Sequence, residues 1–208
     1  MFKRLVFTVI FFAAGVNAQQ VSNGTADVYF QQLSRDGVLD GCSLVFTSLV
    51  SDTAYSKGAQ IVMNGSIAIR TLGKGQLSFT GKLGTKPFLD TTNTWIEPAN
   101  FYFSSDSGTT AQVAKVIESE TKGYKLLIGD AFNDKILALI KDILRTGEFT
   151  AGFNRKLGGQ DVYTLVEVNT SLRSNPDGTA QRTQSTVTPL AFNACLGRLF
   201  EEIKKQLK

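Results

Sequence analysis

The stretch from Gln60 to Gly84, QIVMNGSIAIRTLGKGQLSFTGKLG, decides the fold. Apolar and polar residues alternate through both of its halves, which is the period of a strand with one buried face. Gly73-Lys74-Gly75 between the halves supplies a permissive turn, so the stretch predicts an antiparallel hairpin. The residues predicted to face the core are Ile61, Met63, Ile67, Ile69, Leu77, Phe79 and Leu83.

Other strand signals lie on both sides of this hairpin. The segment 42–50 places Cys42, Leu44 and Phe46 on one face of a strand, whereas Ala26 to Leu33 fits a short helix or a strand. The segments 113–119 and 123–129 suggest a second hairpin, although the first of them also fits a short helix. Further strands are predicted at 101–103, 148–153, 161–168 and 181–187, with an irregular connection at 86–100.

Two segments show helical periodicity instead. From Asn133 to Arg145 the apolar residues form one stripe, with Asn133 as a plausible N-cap and Gly147 as the stop signal. Near the C-terminus, Thr188 is predicted to cap a helix whose first position is Pro189. The apolar stripe of this last helix comprises Phe192, Cys195, Leu196, Leu199, Phe200, Ile203 and Leu207.

These elements predict a mainly β (α+β) fold. We expect one β-rich domain over residues 19–208, built as an antiparallel sheet or β-sandwich with two packed amphipathic helices. The length suits one domain, and the sequence shows no repeat or linker that would divide it.

The N-terminus carries the pattern of a secretory signal peptide. Lys3 and Arg4 precede an apolar run from Leu5 to Val16, which is too short to span a membrane as a helix. Val16 and Ala18 occupy the two positions where signal peptidase needs compact side chains, so we expect cleavage after Ala18. The pattern predicts a periplasmic or secreted protein.

The chain has two cysteines, Cys42 and Cys195. An even, small number of cysteines in an exported chain favours a disulfide. Both residues fall on predicted apolar faces, so we expect the bond to join the sheet to the last helix.

Several kinds of chemistry lack their usual residues. The sequence contains no histidine, which removes the usual Ser-His-Asp and Cys-His catalytic arrangements and the histidine metal ligands. It also lacks a phosphate-binding loop, and its 22 basic and 18 acidic residues form no basic stripe of the kind that binds nucleic acid. We therefore predict no catalytic residue, metal, cofactor or nucleic-acid partner.

Pairs of carboxylates leave one enzymatic alternative open. Acid–base chemistry on a sugar needs two such groups flanking the scissile bond. The candidate pairs are Asp36 with Asp40, Asp130 with Asp134, and Glu118 with Glu120.

Aromatic residues suggest a contact surface. Phe101, Tyr102 and Phe103 are consecutive, so a strand must place rings on both of its faces. One face can be core, whereas the other lies under a loop or is exposed. Together with Trp95 in the preceding connection, these residues form the predicted partner-binding surface.

The C-terminal third resembles a known family. The segments ILALIKDILRTGEFTAGF, from Ile136, and PLAFNACLGRLFEEI, from Pro189, resemble small periplasmic proteins of the invasion-associated locus B type. The resemblance covers Asn133 to Ile203, and it implies a periplasmic β-sandwich with no catalytic residues to carry over.

Together these observations predict an exported, non-catalytic binding or accessory protein of the cell envelope or periplasm. Its expected partner is an envelope or periplasmic protein. A carboxylate-dependent, glycan-acting enzyme and a purely structural envelope component are the alternatives.

Overall fold

The computed structural model describes residues 23–73, 75–92, 94–175 and 180–206. The predicted signal peptide, Lys74 of the predicted hairpin turn, residues 176–179, and Leu207 of the last helix's predicted stripe lie outside these ranges. The strands are β1 (Gly24–Arg35), β2 (Val38–Asp52), β3 (Ala59–Gly73), β4 (Gln76–Pro87), β5 (Asn100–Ser104), β6 (Ala114–Glu118), β7 (Tyr124–Asp130), β8 (Glu148–Asn154), β9 (Val162–Glu167), β10 (Thr170–Ser174) and β11 (Ala180–Gln184); the helices are α1 (Asp134–Thr146) and α2 (Val187–Gln206).

The strands form three antiparallel sheets among the described residues. A six-stranded sheet has the order β1-β2-β3-β4-β7-β6, a three-stranded sheet has the order β5-β8-β9, and β10 pairs with β11. The predicted hairpin is confirmed as β3 and β4, which pair from Ile61 opposite Pro87 to Gly73 opposite Gln76, with a register shift between Thr71 and Gly73. The structure is thus mainly β with two helices, as predicted.

The core lies between the six-stranded and three-stranded sheets. Alternation sends one face of each strand inward, so all seven residues predicted for the hairpin's core face are buried. Aromatic rings cross the interface edge to face: Phe46 of β2 lies 5.6 Å from Phe149 of β8 between ring centroids, at an interplanar angle of 81°. Such pairs add stabilisation beyond the area they bury.

Helix α1 has the predicted caps. Asn133 accepts a hydrogen bond from the Lys135 N–H, and Gly147 adopts a left-handed conformation with φ 73° and donates to Ile143 O. Ile136, Leu139, Ile140 and Ile143 are buried, whereas Leu144, at the margin of the stripe, is 41% exposed.

Helix α2 begins earlier than predicted. Its first residue is Val187, whose N–H donates to Ser185 Oγ at 3.3 Å. Thr188 is therefore not the cap, and its hydroxyl donates to Val28 O at 3.2 Å instead. Pro189 is tolerated because the first N–H groups of a helix have no intrahelical partner. No helix within the described ranges is long and apolar enough to cross a membrane.

Strands β1 and β10 were not assigned from the sequence. The segment 26–33, left open between helix and strand, belongs to β1, and β10 was not predicted. The Thr25 side chain joins β1 to β9, because its hydroxyl accepts from Glu167 N at 2.8 Å and donates to Leu165 O at 3.2 Å. Asp27 accepts from Leu172 N at 2.9 Å, which ties β10 to β1.

The predicted disulfide is present between Cys42 of β2 and Cys195 of α2, with a Cα–Cα distance of 5.9 Å. Both residues are completely buried. The bond fixes α2 against the inner face of the six-stranded sheet, as the two apolar patterns predicted.

Candidate functional site

The outer face of the six-stranded sheet, opposite the core, carries a concave site of about 350 Å³. We call it the outer groove. Five strands, β1, β2, β3, β4 and β7, supply most of its lining, and Thr121 comes from the turn before β7. The lining residues are Tyr29, Gln31, Val45, Asn64, Gly65, Ser66, Lys82, Thr121 and Tyr124.

Strand register sets the length of the groove. Tyr29 pairs with Val45, Val45 with Ser66, and Ser66 with Lys82 across four adjacent strands. Three inter-strand steps separate the tyrosine from the lysine, a distance of ~14 Å. Small or medium side chains form the floor between them, so the groove has an aromatic residue at one end and a cation at the other.

Lys82 is the charged residue of the groove lining. Its Nζ donates to Thr121 Oγ1 at 2.6 Å and lies 4.8 Å from the centroid of the Tyr124 ring. Within the described residues, no carboxylate oxygen lies within 4.0 Å of this ammonium. An ammonium has three donors, so this one is held in place while keeping donors for a bound group.

Tyr124 is fixed beside Lys82 by Asn64. The tyrosine hydroxyl donates to Asn64 Oδ1 at 3.2 Å, and the Asn64 amide donates to Phe46 O at 3.1 Å and to Thr47 Oγ1 at 3.0 Å. Partial burial raises the pKa of Tyr124, so its hydroxyl stays protonated and remains a donor at neutral pH. The ring position is therefore preset.

Trp95 backs the Tyr124 ring. The two ring centroids are 5.2 Å apart at an interplanar angle of 37°, and Lys86 Nζ lies 5.1 Å from the Trp95 ring centroid. The close approach depends on Gly123, which has φ 82° and where an added Cβ would come within 2.5 Å of Trp95 Cβ. Trp95 therefore lies beside the outer groove, as part of its support.

Two of the predicted partner-binding residues are core residues, which corrects the prediction. Phe101 is 1% exposed and Phe103 is 0% exposed, because alternation along β5 turns both rings toward the six-stranded sheet. Phe103 lies 6.3 Å from Phe79 and 5.8 Å from Phe149 between centroids. Their side chains pack the sandwich and offer no surface to a partner.

Tyr102 points the other way, onto the outside of the three-stranded sheet. Its ring covers Gly152, where an added Cβ would collide with it. Partial burial, together with the nearby Asp161 carboxylate, raises the pKa of Tyr102. Tyr102 therefore lies on a different sheet from the outer groove, and the structure does not gather the four predicted residues into one surface.

The edge of β5 that faces away from β8 already forms hydrogen bonds with another segment of the chain. Phe103 N donates to Thr110 Oγ1 at 2.8 Å, and Thr110 N donates to Phe103 O at 2.9 Å. The addition of a partner strand at β5 would have to displace these bonds.

One carboxylate of each candidate pair of the enzymatic alternative has a local partner. Asp40 is bridged to Arg70 at 2.9 Å and to Arg35 at 3.2 Å. Burial acts to raise the pKa of Asp40, but hydrogen bonds from Thr71 and Arg70 outweigh it and lower that pKa. Asp130 accepts from Phe132 N at 2.9 Å, and Glu118 pairs with Lys125.

Sequence reasoning found Trp95, which supports the groove from beside it, but missed the residues that line the groove. Tyr29, Ser66, Lys82 and Tyr124 are separated by up to 95 residues, and only the strand order brings them together. The available signal was weak: Asn64, Ser66 and Lys82 belong to the polar face of the predicted hairpin. The alternation shows that these side chains share the outer face of the hairpin, but it does not show which other strands lie beside them.

No family model, curated protein or solved structure matches this chain. The resemblance of the C-terminal third to invasion-associated locus B proteins therefore stays a prediction. The functional argument rests on the geometry of the outer groove.

Proposed function

We propose that this protein is an exported, non-catalytic binding protein of the cell envelope, and that it binds its partner at the outer groove. The observation that supports binding is the preset arrangement of Lys82, Tyr124 and Trp95. Asn64 holds the Tyr124 hydroxyl, Thr121 holds the Lys82 ammonium, and the Trp95 ring lies against the Tyr124 ring. A site ordered before binding loses less conformational entropy when its ligand arrives.

Export is supported by two independent features. The N-terminal residues have the charge and hydropathy pattern of a cleaved signal peptide, ending at Ala18. The Cys42–Cys195 disulfide is of a kind that persists in oxidising compartments. We accordingly propose a periplasmic or secreted location.

The non-catalytic part of the proposal is supported by the composition of the groove. Its ionisable side chains are Lys82 and two tyrosines, and the sequence offers no histidine to act as a base at neutral pH. The sequence predicted an envelope or periplasmic protein as partner and no nucleic acid. The groove itself provides one cation and no basic track along which a phosphate backbone could bind.

Co-sedimentation with isolated envelope fractions tests the proposal. The purified mature protein should sediment with the envelope, and Lys82→Gln and Tyr124→Ala should weaken that binding. Tyr163→Ala is the matched control, because Tyr163 is an aromatic residue that is 67% exposed on β9 of the other sheet. Thermal melting would establish that each variant is folded.

Two results would contradict the proposal. The first is a folded wild-type protein that does not bind the envelope. The second is full binding by the folded Lys82→Gln and Tyr124→Ala variants, which would remove the outer groove as the contact surface. Turnover of a glycan that is abolished by changing one carboxylate would favour the enzymatic alternative instead.

A further inference from the structure

We infer that the outer groove binds an acidic saccharide, a sugar chain bearing carboxylates, with the ammonium of Lys82 contacting the acid group. This inference rests on the proposed function, because it names the ligand class of the same site. Three properties of the groove support it: its polar lining, its uncompensated charge and its position in the sheet.

The lining is rich in groups that hydrogen-bond to hydroxyls. Gln31, Ser66 and Thr121 contribute an amide and two hydroxyls, and Tyr29, which is 51% exposed, presents a ring at one end. A sugar ring has hydroxyls around its rim and C–H groups on its faces, so it needs both polar partners and a flat apolar one. The aliphatic side chain of the lining is Val45, which provides little apolar surface for an apolar side chain of a protein partner to pack against.

The length of the groove fits a chain of sugars. Tyr29 and Lys82 are separated by ~14 Å across the strands, which exceeds the width of one sugar ring. A ligand that reaches both must extend across β2 and β3, with its acid group at the Lys82 end.

Charge complementarity indicates that the ligand is negatively charged. Lys82 is partly buried, and its neighbours in the groove are uncharged, so its positive charge lacks a carboxylate partner among the described residues. An anionic group placed there gains a charge-assisted hydrogen bond, whereas a neutral sugar does not.

The position in the sheet argues against an extended peptide. The groove floor lies on β2 and β3, and each of these strands is paired with a neighbour on both sides. Their backbone N–H and C=O groups are used in the ladders, so a peptide cannot add there as a further strand. A ligand at this site must be recognised by side chains.

Isothermal titration calorimetry with a defined oligogalacturonate tests the inference, with a neutral oligosaccharide of the same length and poly-glutamate as comparison ligands. The wild-type protein should bind the oligogalacturonate, and should bind the other two far more weakly. Lys82→Gln should weaken binding about tenfold, the effect of losing one charge-assisted hydrogen bond. Lys82→Arg should retain most of it.

Lys115→Gln is the matched control, because Lys115 is an exposed lysine of β6 outside the outer groove. It should bind like the wild type. Equal affinity for the neutral oligosaccharide would overturn the acidic class, and equal affinity for poly-glutamate would overturn the saccharide.

The failure of this inference is distinguishable from the failure of the proposed function. If the wild-type protein sediments with the envelope but binds no oligogalacturonate, the groove takes another partner, such as a protein, and the ligand class is wrong. If it binds neither, the proposed function fails as well.

Discussion

Gly81 of β4 faces Phe103 of β5 so closely that a Cβ atom at position 81 would come within 2.5 Å of Cε2 of the ring. The absence of a side chain there lets the aromatic ring of one sheet enter the face of the other. This contact lets the Phe103 ring, which alternation along β5 already turns inward, pack closely against the other sheet.

Gly81→Ala should therefore destabilise the protein. The added methyl group must push the Phe103 ring out of a packed position, and overpacking of this kind costs about 1–3 kcal/mol of the free energy of unfolding. Chemical denaturation of both proteins measures the difference.

Gly197→Ala supplies the opposite expectation. Gly197 lies in α2, and a Cβ there meets no atom within 4 Å. Replacing an exposed helical glycine by alanine should stabilise the protein by about 1 kcal/mol. If both glycine variants lose stability equally, local crowding at Gly81 is not the cause.

Removal of the disulfide by Cys195→Ala should lower the melting temperature by several degrees. The bond closes a loop between residues 153 positions apart. The chain-entropy treatment gives an upper limit of about 5 kcal/mol for a loop of this length. Thermal melting should show that a reductant lowers the wild-type value but leaves the variant unchanged. Free alkylation of both thiols in the unreduced wild type would show that the bond is absent.

Asp142 of α1 should make stability depend on pH. Its carboxylate accepts from Ser107 Oγ at 2.6 Å, from Arg145 at 2.9 Å and from Ser105 Oγ at 2.8 Å, and these bonds lower its pKa far below the ordinary value. Because the folded-state pKa is depressed, the contribution is fully present above about pH 4 and is lost as pH falls toward the folded-state pKa.

Asp142→Asn should accordingly lower the melting temperature at pH 7. The gap between wild type and variant should narrow as the pH is taken below about 4. Asp106→Asn is the control, because Asp106 is an exposed carboxylate in the turn between Ser105 and Ser107, the two serines that donate to Asp142. A gap that stays constant from neutral to acidic pH would mean that the charge of Asp142 is not what stabilises the turn.

Trp95 gives a spectroscopic readout of the groove, since it is the single tryptophan of the chain. Tyr124→Ala removes the ring that lies 5.2 Å from it and should expose the indole to water. We expect the fluorescence emission maximum to move to longer wavelength, with no movement in Tyr163→Ala. An unchanged maximum in Tyr124→Ala would contradict the contact between the two rings.

Local patterns predicted the elements well because their causes are local. The alternation from Gln60 to Gly84 corresponds to β3 and β4, and the Asn133 and Gly147 signals correspond to the caps of α1. The predicted start of α2 came later than the observed one. Ser185 accepts from the Val187 N–H, and the Thr188 hydroxyl donates instead to Val28, a distant residue that the local pattern does not indicate.

The site depended on relationships that alternation does not encode. The aromatic run at 101–103 required rings on two faces, but only the packing of β5 against the six-stranded sheet decides that Tyr102 is the outer one. Likewise, Lys82 and Tyr124 are neighbours because β7 inserts between β4 and β6. A strand order of that kind arises from the whole fold.

The bridge from Thr25 to Leu165 and Glu167 has a consequence for the order of folding. It joins residues 140 and 142 positions apart, and the edge of β1 is closed only when β9 has formed. Contacts between residues so distant in sequence form slowly, because the entropy of closing a long loop opposes them. β1 is the first strand to be synthesised, but it makes this contact only after β9, in the last third of the polypeptide, has been synthesised.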